Sequence, residues 1–319
     1  MTARLSRREA LAGLSGALVA SHISIARAAD LPLVRVSIVP IFAVAPHFAA
    51  VQQGYFAEEG IAVSTQPVQG GAVGIPGLVS GSFDVLYGNS ISTLTAWARG
   101  IDLRIIAEGT PITPDPPDPG ALIIRRGENL RTGKDFEGKI LGVNAKYDIQ
   151  WLVMQTWAKK TGADLDKIAY REVPLPSMLD AIKGKQVDGA LVLDPFMTVG
   201  LADPAFERTA WPLSTAMPGL PTSFWLVTAD TATNKTALIR SYQKAFLRGG
   251  KWINDHAGDD AYCQLIAGYT KTDPKLVAKM VVGKQPMSVD VPSIGRLAIL
   301  MKDNGLLKTD VDYTDKVFA

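Results

Sequence analysis

The sequence predicts a two-lobed α/β protein, and three observations carry that expectation. Strand-like and helix-like segments alternate from Leu33 to Asp194, the signature of mostly parallel sheets with helices on both faces. Two proline-rich stretches, Thr110 to Gly120 and Met217 to Asp230, break the alternation and predict two crossovers, hence an inserted middle lobe. From Asn234 onward the pattern is helical, which predicts helices that return to cover the first lobe.

Taken in order, Leu33 to Pro40 reads as a strand by its β-branched content, Pro46 to Ala57 as a helix and Ile61 to Val68 as a second strand. A Gly-rich turn at Gln69 to Gly74 and a short helix to Ser80 follow. Next come a strand at Phe83 to Gly88, a helix at Ser90 to Gly100 and a strand at Leu103 to Gly109. Past the first break the ladder resumes with strands at Ala121 to Arg126, Lys139 to Asn144, Ile168 to Pro174 and Val187 to Asp194, and helices at Asp148 to Lys160 and Ser177 to Lys183. The second break ends in a strand before Asp230. In the helical region Leu238, Tyr242, Phe246 and Ile253 form one apolar stripe, and more helix is expected at Asp259 to Thr270, Asp273 to Val282 and Val291 to Lys302.

Residues 1–28 read as a signal peptide: Arg4, Arg7 and Arg8 precede an apolar run to Ala20, and Ala26-Arg27-Ala28 has the small-x-small form of a cleavage site. Ser6 to Leu11, "SRREAL", resembles the twin-arginine export signal, with Ala10 where a Phe is usual. The apolar run is too short for a membrane span, and no Cys adjoins the cut to carry a lipid. A free periplasmic protein, monomeric, is therefore expected, with lobe I made of residues 29–110 and 223–319 and lobe II of residues 111–222.

Charge and composition exclude several classes. Without the leader's four arginines and one glutamate the chain keeps 29 basic and 30 acidic residues, so the basic footprint of a nucleic-acid binder is missing. One cysteine, Cys263, allows neither a disulfide framework nor a cysteine metal site, and three histidines make a histidine metal centre improbable. No cofactor and no metal are expected, and no Ser-His-Asp order, zinc triad or phosphate-cradling loop supports catalysis.

In open parallel sheets ligands bind beyond the carboxyl ends of the strands, where helix N-termini offer free N–H groups. That rule selects the junctions here. Pro46-His47 follows the first strand, Gly71 lies in the Gly-rich turn, and Asn89, Ser90 and Ser92 end the third strand. Across the cleft Asn144, Lys146 and Tyr147 end a middle-lobe strand, with Asp148 a natural N-cap, and Asp194 ends another as a carboxylate suited to an amine or to Lys146. For each, a purely structural role stands beside the ligand role. Phe42, Trp151 and Trp225 are candidates for an apolar wall or for core. His47, Ser90 and Lys146 are expected to converge on the ligand's charged group.

The phrases "APHFAAVQQGYFAEEGI", "GGAVGIPGLVSGSFDVLYGNSISTLTAWARGIDLRIIAE", "KDFEGKILGVN" and "MLDAIKGKQVDGALVLDPF", in that order and spacing, resemble the periplasmic solute-binding proteins of ABC importers, in the NMT1/THI5-like group that handles nitrate, sulfonates and taurine. The resemblance covers nearly all of Leu33 to Leu307. It implies a type II periplasmic binding fold, a Venus flytrap whose two hinge strands let the lobes close on one ligand. A small organic anion, sulfonate or carboxylate, and an inner-membrane ABC permease are the partners it implies. Enzymes of thiamin-pyrimidine or menaquinone synthesis on the same fold, and a ligand sensor, stand as alternatives.

Overall fold

The computed structural model describes residues 31–68 and 71–318. The expected signal peptide, and Gln69 and Gly70 of the Gly-rich turn, lie outside them. Ten strands form two five-stranded sheets. The first half of the chain lays down β1 (Leu33–Ile38), α1 (Ala45–Gln52), α2 (Tyr55–Glu58), β2 (Ala62–Pro67), α3 (Gly71–Val79), β3 (Val85–Asn89), α4 (Ser90–Ala98) and β4 (Leu103–Glu108). The middle follows as β5 (Gly120–Arg125), β6 (Ile140–Val143), α5 (Ile149–Lys160), β7 (Ala169–Glu172), α6 (Met178–Lys183), β8 (Gly189–Leu193), α7 (Phe196–Ala202), β9 (Phe206–Ala210) and α8 (Pro212–Ala216). The chain then returns through β10 (Ser223–Thr228) and ends with α9 (Ala229–Asn234), α10 (Thr236–Asp255), α11 (Asp260–Thr270), α12 (Pro274–Val277) and α13 (Val291–Asp303).

One sheet runs in the order β2-β1-β3-β10-β4 and the other β7-β6-β8-β5-β9. Strands β1, β2 and β3 are parallel, as are β6, β7 and β8, while β10 and β5 enter antiparallel after each crossover. The two-lobed α/β architecture predicted above is the observed one. Both crossovers run side by side: Pro111 bridges Pro221, Ile112 N–H donates to Leu220 O at 3.0 Å, and Gly109 N–H donates to Ser223 O at 2.9 Å. Proline cannot continue a helix or a central strand, so the two proline-rich stretches are left as extended connectors.

Each sheet is buried on both faces, as βαβ winding requires. Along β10, Phe224 and Leu226 point to one face, packing with Leu86, Ile105 and Leu297. Trp225 and Val227 point to the other, packing with Val36, Tyr242 and Phe246. The apolar stripe of α10 holds at Tyr242, Phe246 and Ile253, but Ile239 takes the buried position expected for Leu238. Gly249 is where α10 crosses α1, and a β-carbon there would overlap the Pro46 carbonyl.

Several segments depart from expectation. The first helix breaks after Gln52, because Gly54 takes φ 74°, a left-handed conformation that glycine adopts without steric cost. The helix expected at Asp273 to Val282 is a single turn. Strand β9 and helices α7, α8 and α9 occur in stretches for which no element was expected; β9 is an edge strand whose alternation is masked by its three polar residues Glu207, Arg208 and Thr209.

Candidate ligand-binding site

A recess of about 730 Å³, open solvent at its mouth included, lies between the two sheets. Five parallel strands end at its wall. From the first sheet come Val39, Ile41, Phe42 and Ala43 after β1, and Tyr87 and Asn89 at the end of β3. From the second come Asn144, Asp148, Ile149 and Gln150 after β6, Leu175 after β7 and Leu193 at the end of β8. Pro119 and Thr222, on the two crossovers, close the back. Position beyond the carboxyl ends of the strands is where doubly wound sheets hold ligands.

Two helix starts face each other across this space. Asn89 caps α4: its Oδ1 accepts Ser92 N–H at 2.8 Å and its Nδ2 donates to Ser92 Oγ at 2.9 Å. Asp148 caps α5, its Oδ1 accepting Ile149 N–H at 2.6 Å. Ser90 N–H donates to Thr222 O at 3.0 Å and the two caps take Ser92 and Ile149 N–H, so what both helix starts bring to this space is chiefly the partial positive charge of their N-terminal ends. The rest of the wall is predominantly aliphatic and aromatic. Among the described residues no Lys, Arg or His lines it. The one ionisable carboxyl in the wall, Asp148, is pushed up to about 6 by burial, against which the bonds from Ile149 and Asn144 act. Such a surface binds an apolar body and orients a polar end through neutral hydrogen bonds.

The profile described as NMT1/THI5 like matches residues 41–258, two thirds of the chain and every recess residue except Val39. The chain belongs to the NMT1/THI5-like family. Among solved structures, this family member is similar to the alkanesulfonate-binding protein SsuA of Xanthomonas axonopodis pv. citri bound to MOPS, with TM-score 0.74, 19% identity, and 90% of this chain and 99% of that chain covered. It is also similar to the periplasmic aliphatic sulphonate-binding protein SsuA of Escherichia coli, with TM-score 0.72, 15% identity and coverage of 91% and 98%. The periplasmic nitrate-binding protein NrtA of Synechocystis PCC 6803 matches with TM-score 0.72, 12% identity and coverage of 90% and 84%. At these identities the likeness is one of fold. Comparison with curated proteins returns no match.

Of the residues the sequence singled out, Phe42, Asn89 and Asn144 line the recess of this NMT1/THI5-like chain. Ser90 and Ser92 adjoin it: Ser92 completes the Asn89 cap, and Ser90 is fully buried with its Oγ lacking a hydrogen-bond partner among the described residues. Gly71 begins α3.

Others are corrected. His47 is fully buried behind the recess, with Nδ1 at 3.1 Å from Tyr242 Oη and Nε2 at 2.8 Å from Thr65 Oγ1. A 3-10 turn at Phe42–Val44 precedes α1 and turns positions 41 to 43, instead of 47, toward the ligand space. Trp225, stacked on His47 with ring centres 5.6 Å apart, is core of the first sheet, and Trp151 packs into the core of the second. Lys146 and Tyr147 are exposed and lie outside the recess wall; Lys146 N–H donates to Glu172 Oε1 at 2.7 Å, and the Tyr147 ring rests 5.1 Å from that of Trp151. Asp194 is fully buried beneath α7, where its Oδ1 accepts Thr198 N–H at 3.0 Å and Thr198 Oγ1–H at 2.7 Å. His47, Ser90 and Lys146 therefore do not converge.

Sequence reasoning missed Tyr87, Gln150, Thr222 and most of the aliphatic wall. Tyr87 was legible, because it shares a strand face with Asn89 two residues on. Gln150, two residues past the Asp148 cap, carried no such signal.

Proposed function

We propose that this chain is the solute-binding receptor of an ABC importer, acting outside the cytoplasmic membrane and delivering a small organic solute to its permease. The observation that carries the reading is the recess itself. It is walled by both sheets at their strand ends and backed by only two paired crossovers, so a solute inside bridges the lobes. The sulfonate- and nitrate-binding neighbours share this fold, and no helix among the described residues is long and apolar enough to cross a membrane. Residues 1–28 then serve as the export signal, and lobes I and II divide at the crossovers near residues 110 and 222. The apolar body of the solute lies against Phe42, Tyr87 and Leu193, and its polar end meets the starts of α4 and α5. The organic anion expected from sequence has these helix starts for support but lacks the cationic partners His47 and Lys146.

Two measurements test this. Thermal shift against aliphatic sulfonates, aromatic carboxylates, nitrate, amides and pyrimidines should find a stabilising solute, since a ligand at 100 times its Kd adds about 2.7 kcal/mol. Small-angle scattering should then give a smaller radius of gyration with that solute, because two crossovers let the lobes rotate by changing few backbone angles. An unchanged radius at saturation would sink hinge closure. Replacing Arg7 and Arg8 by Lys should hold the precursor in the cytoplasm; normal export of that variant would exclude the twin-arginine route.

A further inference from the structure

Unpaired polar atoms in the recess wall identify the ligand's chemistry more closely. Gln150 is 2% exposed, and its Oε1 accepts Asn144 N–H at 2.7 Å. Because a backbone N–H needs an acceptor, this bond sets the amide's orientation and leaves Nε2 as the group without a partner. That Nε2 is buried and has no hydrogen-bond partner among the described residues. Asn144 is oriented in the same way: its Nδ2 points to Asp148 Oδ2 at 3.5 Å, so its Oδ1 is the remaining group, and it too is buried without a partner. Both residues line the recess. One leaves a bare donor, the other a bare acceptor, and the Asn144 N–H to Gln150 bond holds the two together.

An orphaned buried donor or acceptor carries the full desolvation penalty of its group, so such groups call for a partner. We propose that Asn144 and Gln150 of lobe II read an uncharged edge of the solute that carries an N–H donor beside a carbonyl or ring-nitrogen acceptor: a carboxamide, urea, lactam or amino-heteroarene. The N–H of the solute donates to Asn144 Oδ1, and its acceptor takes the Gln150 Nε2 proton. A carboxylate or sulfonate satisfies Gln150 only. It leaves Asn144 Oδ1 facing another acceptor, close to the Asp148 carboxyl and with no cationic side chain in the wall among the described residues. This inference rests on the receptor reading above and narrows it.

The test pairs amides with matched anions: benzamide with benzoate and benzenesulfonate, and nicotinamide with nicotinate, each by thermal shift. In parallel, the protein is equilibrated with a deproteinised extract of bacterial culture medium, and the retained solute is identified by native mass spectrometry. The expected result is that amides raise the melting temperature where their anions do not, and that the retained solute carries the donor–acceptor edge. Gln150→Glu keeps an acceptor for Asn144 N–H and replaces the free donor with a carboxyl oxygen, adding an ionisable group near Asp148, while Asn144→Leu removes the side-chain amide and its contact to Asp148. Each should weaken the retained solute at least tenfold in calorimetry, because a site built around a hydrogen bond discriminates strongly against its loss. Melting curves without solute identify a variant that fails to fold, and the other then decides. A retained solute without the edge, or one that keeps wild-type affinity in the folded variants, overturns this inference and leaves the receptor reading standing. Retention of no solute from the panel or the extract overturns both.

Discussion

Replacing His47 by alanine should destabilise the protein by about 3–5 kcal/mol while leaving solute affinity unchanged. The loss combines the cavity left by a fully buried ring with two hydroxyls, on Tyr242 and Thr65, that lose their partners. The ring also packs against both Trp225 and Tyr242, with ring centres 5.6 and 6.1 Å away, so the first sheet's packing against α10 loosens. For a chain of this size the melting temperature should fall by about 10 °C. A pH signature accompanies it. Burial lowers the His47 pKa to about 3, so the folded protein holds the ring neutral where the unfolded chain, with its value near 6.5, takes up a proton. The stability of the wild type that depends on this group is full above 6.5 and is lost as pH falls toward 3, whereas the alanine variant lacks that slope. Calorimetric titration beside thermal melts checks both parts. A tenfold loss of affinity with an unchanged melt would place His47 in the ligand site after all.

Asp148→Asn should stabilise the ligand-free protein by about 3 kcal/mol above pH 6 and leave it unchanged below pH 4. Burial holds the Asp148 carboxyl at about 6, up from its ordinary value near 3.8, so the fold favours the protonated form. Between those values the native state binds more protons than the unfolded one, and stability therefore falls as pH rises. A difference of about two in pKa amounts to about 3 kcal/mol. Asparagine caps a helix as well as aspartate and carries no charge to bury, so α5 keeps its start. Asp194, also held at about 6 by burial against the bonds from Thr198, imposes the same slope on wild type and variant, so only their difference reports on Asp148. Urea unfolding at pH 4, 5, 6 and 7 measures it. Parallel curves for the two proteins would show that Asp148 is solvated in solution.

Most of the charge lies away from the recess. Ion pairs such as Arg248 with Glu58 at 2.5 Å and Lys251 with Asp255 at 2.6 Å lie on exposed helix faces, where pairs contribute at most about 1 kcal/mol. They set solubility and leave the recess untouched.

What the sequence by itself determined was everything that depends on short-range periodicity and on proline. The strand and helix alternation, the two crossovers and the helical return are local signals read through general rules of winding, and the structure has each of them, with a recess at the strand ends. Phe42, Asn89 and Asn144 were within reach for the same reason, since each sits at the end of a strand or within four residues past it. What only the tertiary structure decided was which way those junction residues face. The direction of His47 is set by a three-residue 3-10 turn and by Tyr242, 195 positions away, whose hydroxyl takes the ring. Asp194 is drawn beneath α7 by Thr198, and Gln150 is turned into the recess by the Asn144 backbone. A side chain's direction follows from its partners, and these come from turn geometry and from chain brought near only when the lobes fold. Residue type and spacing therefore locate the cleft, while long-range packing chooses the atoms that line it.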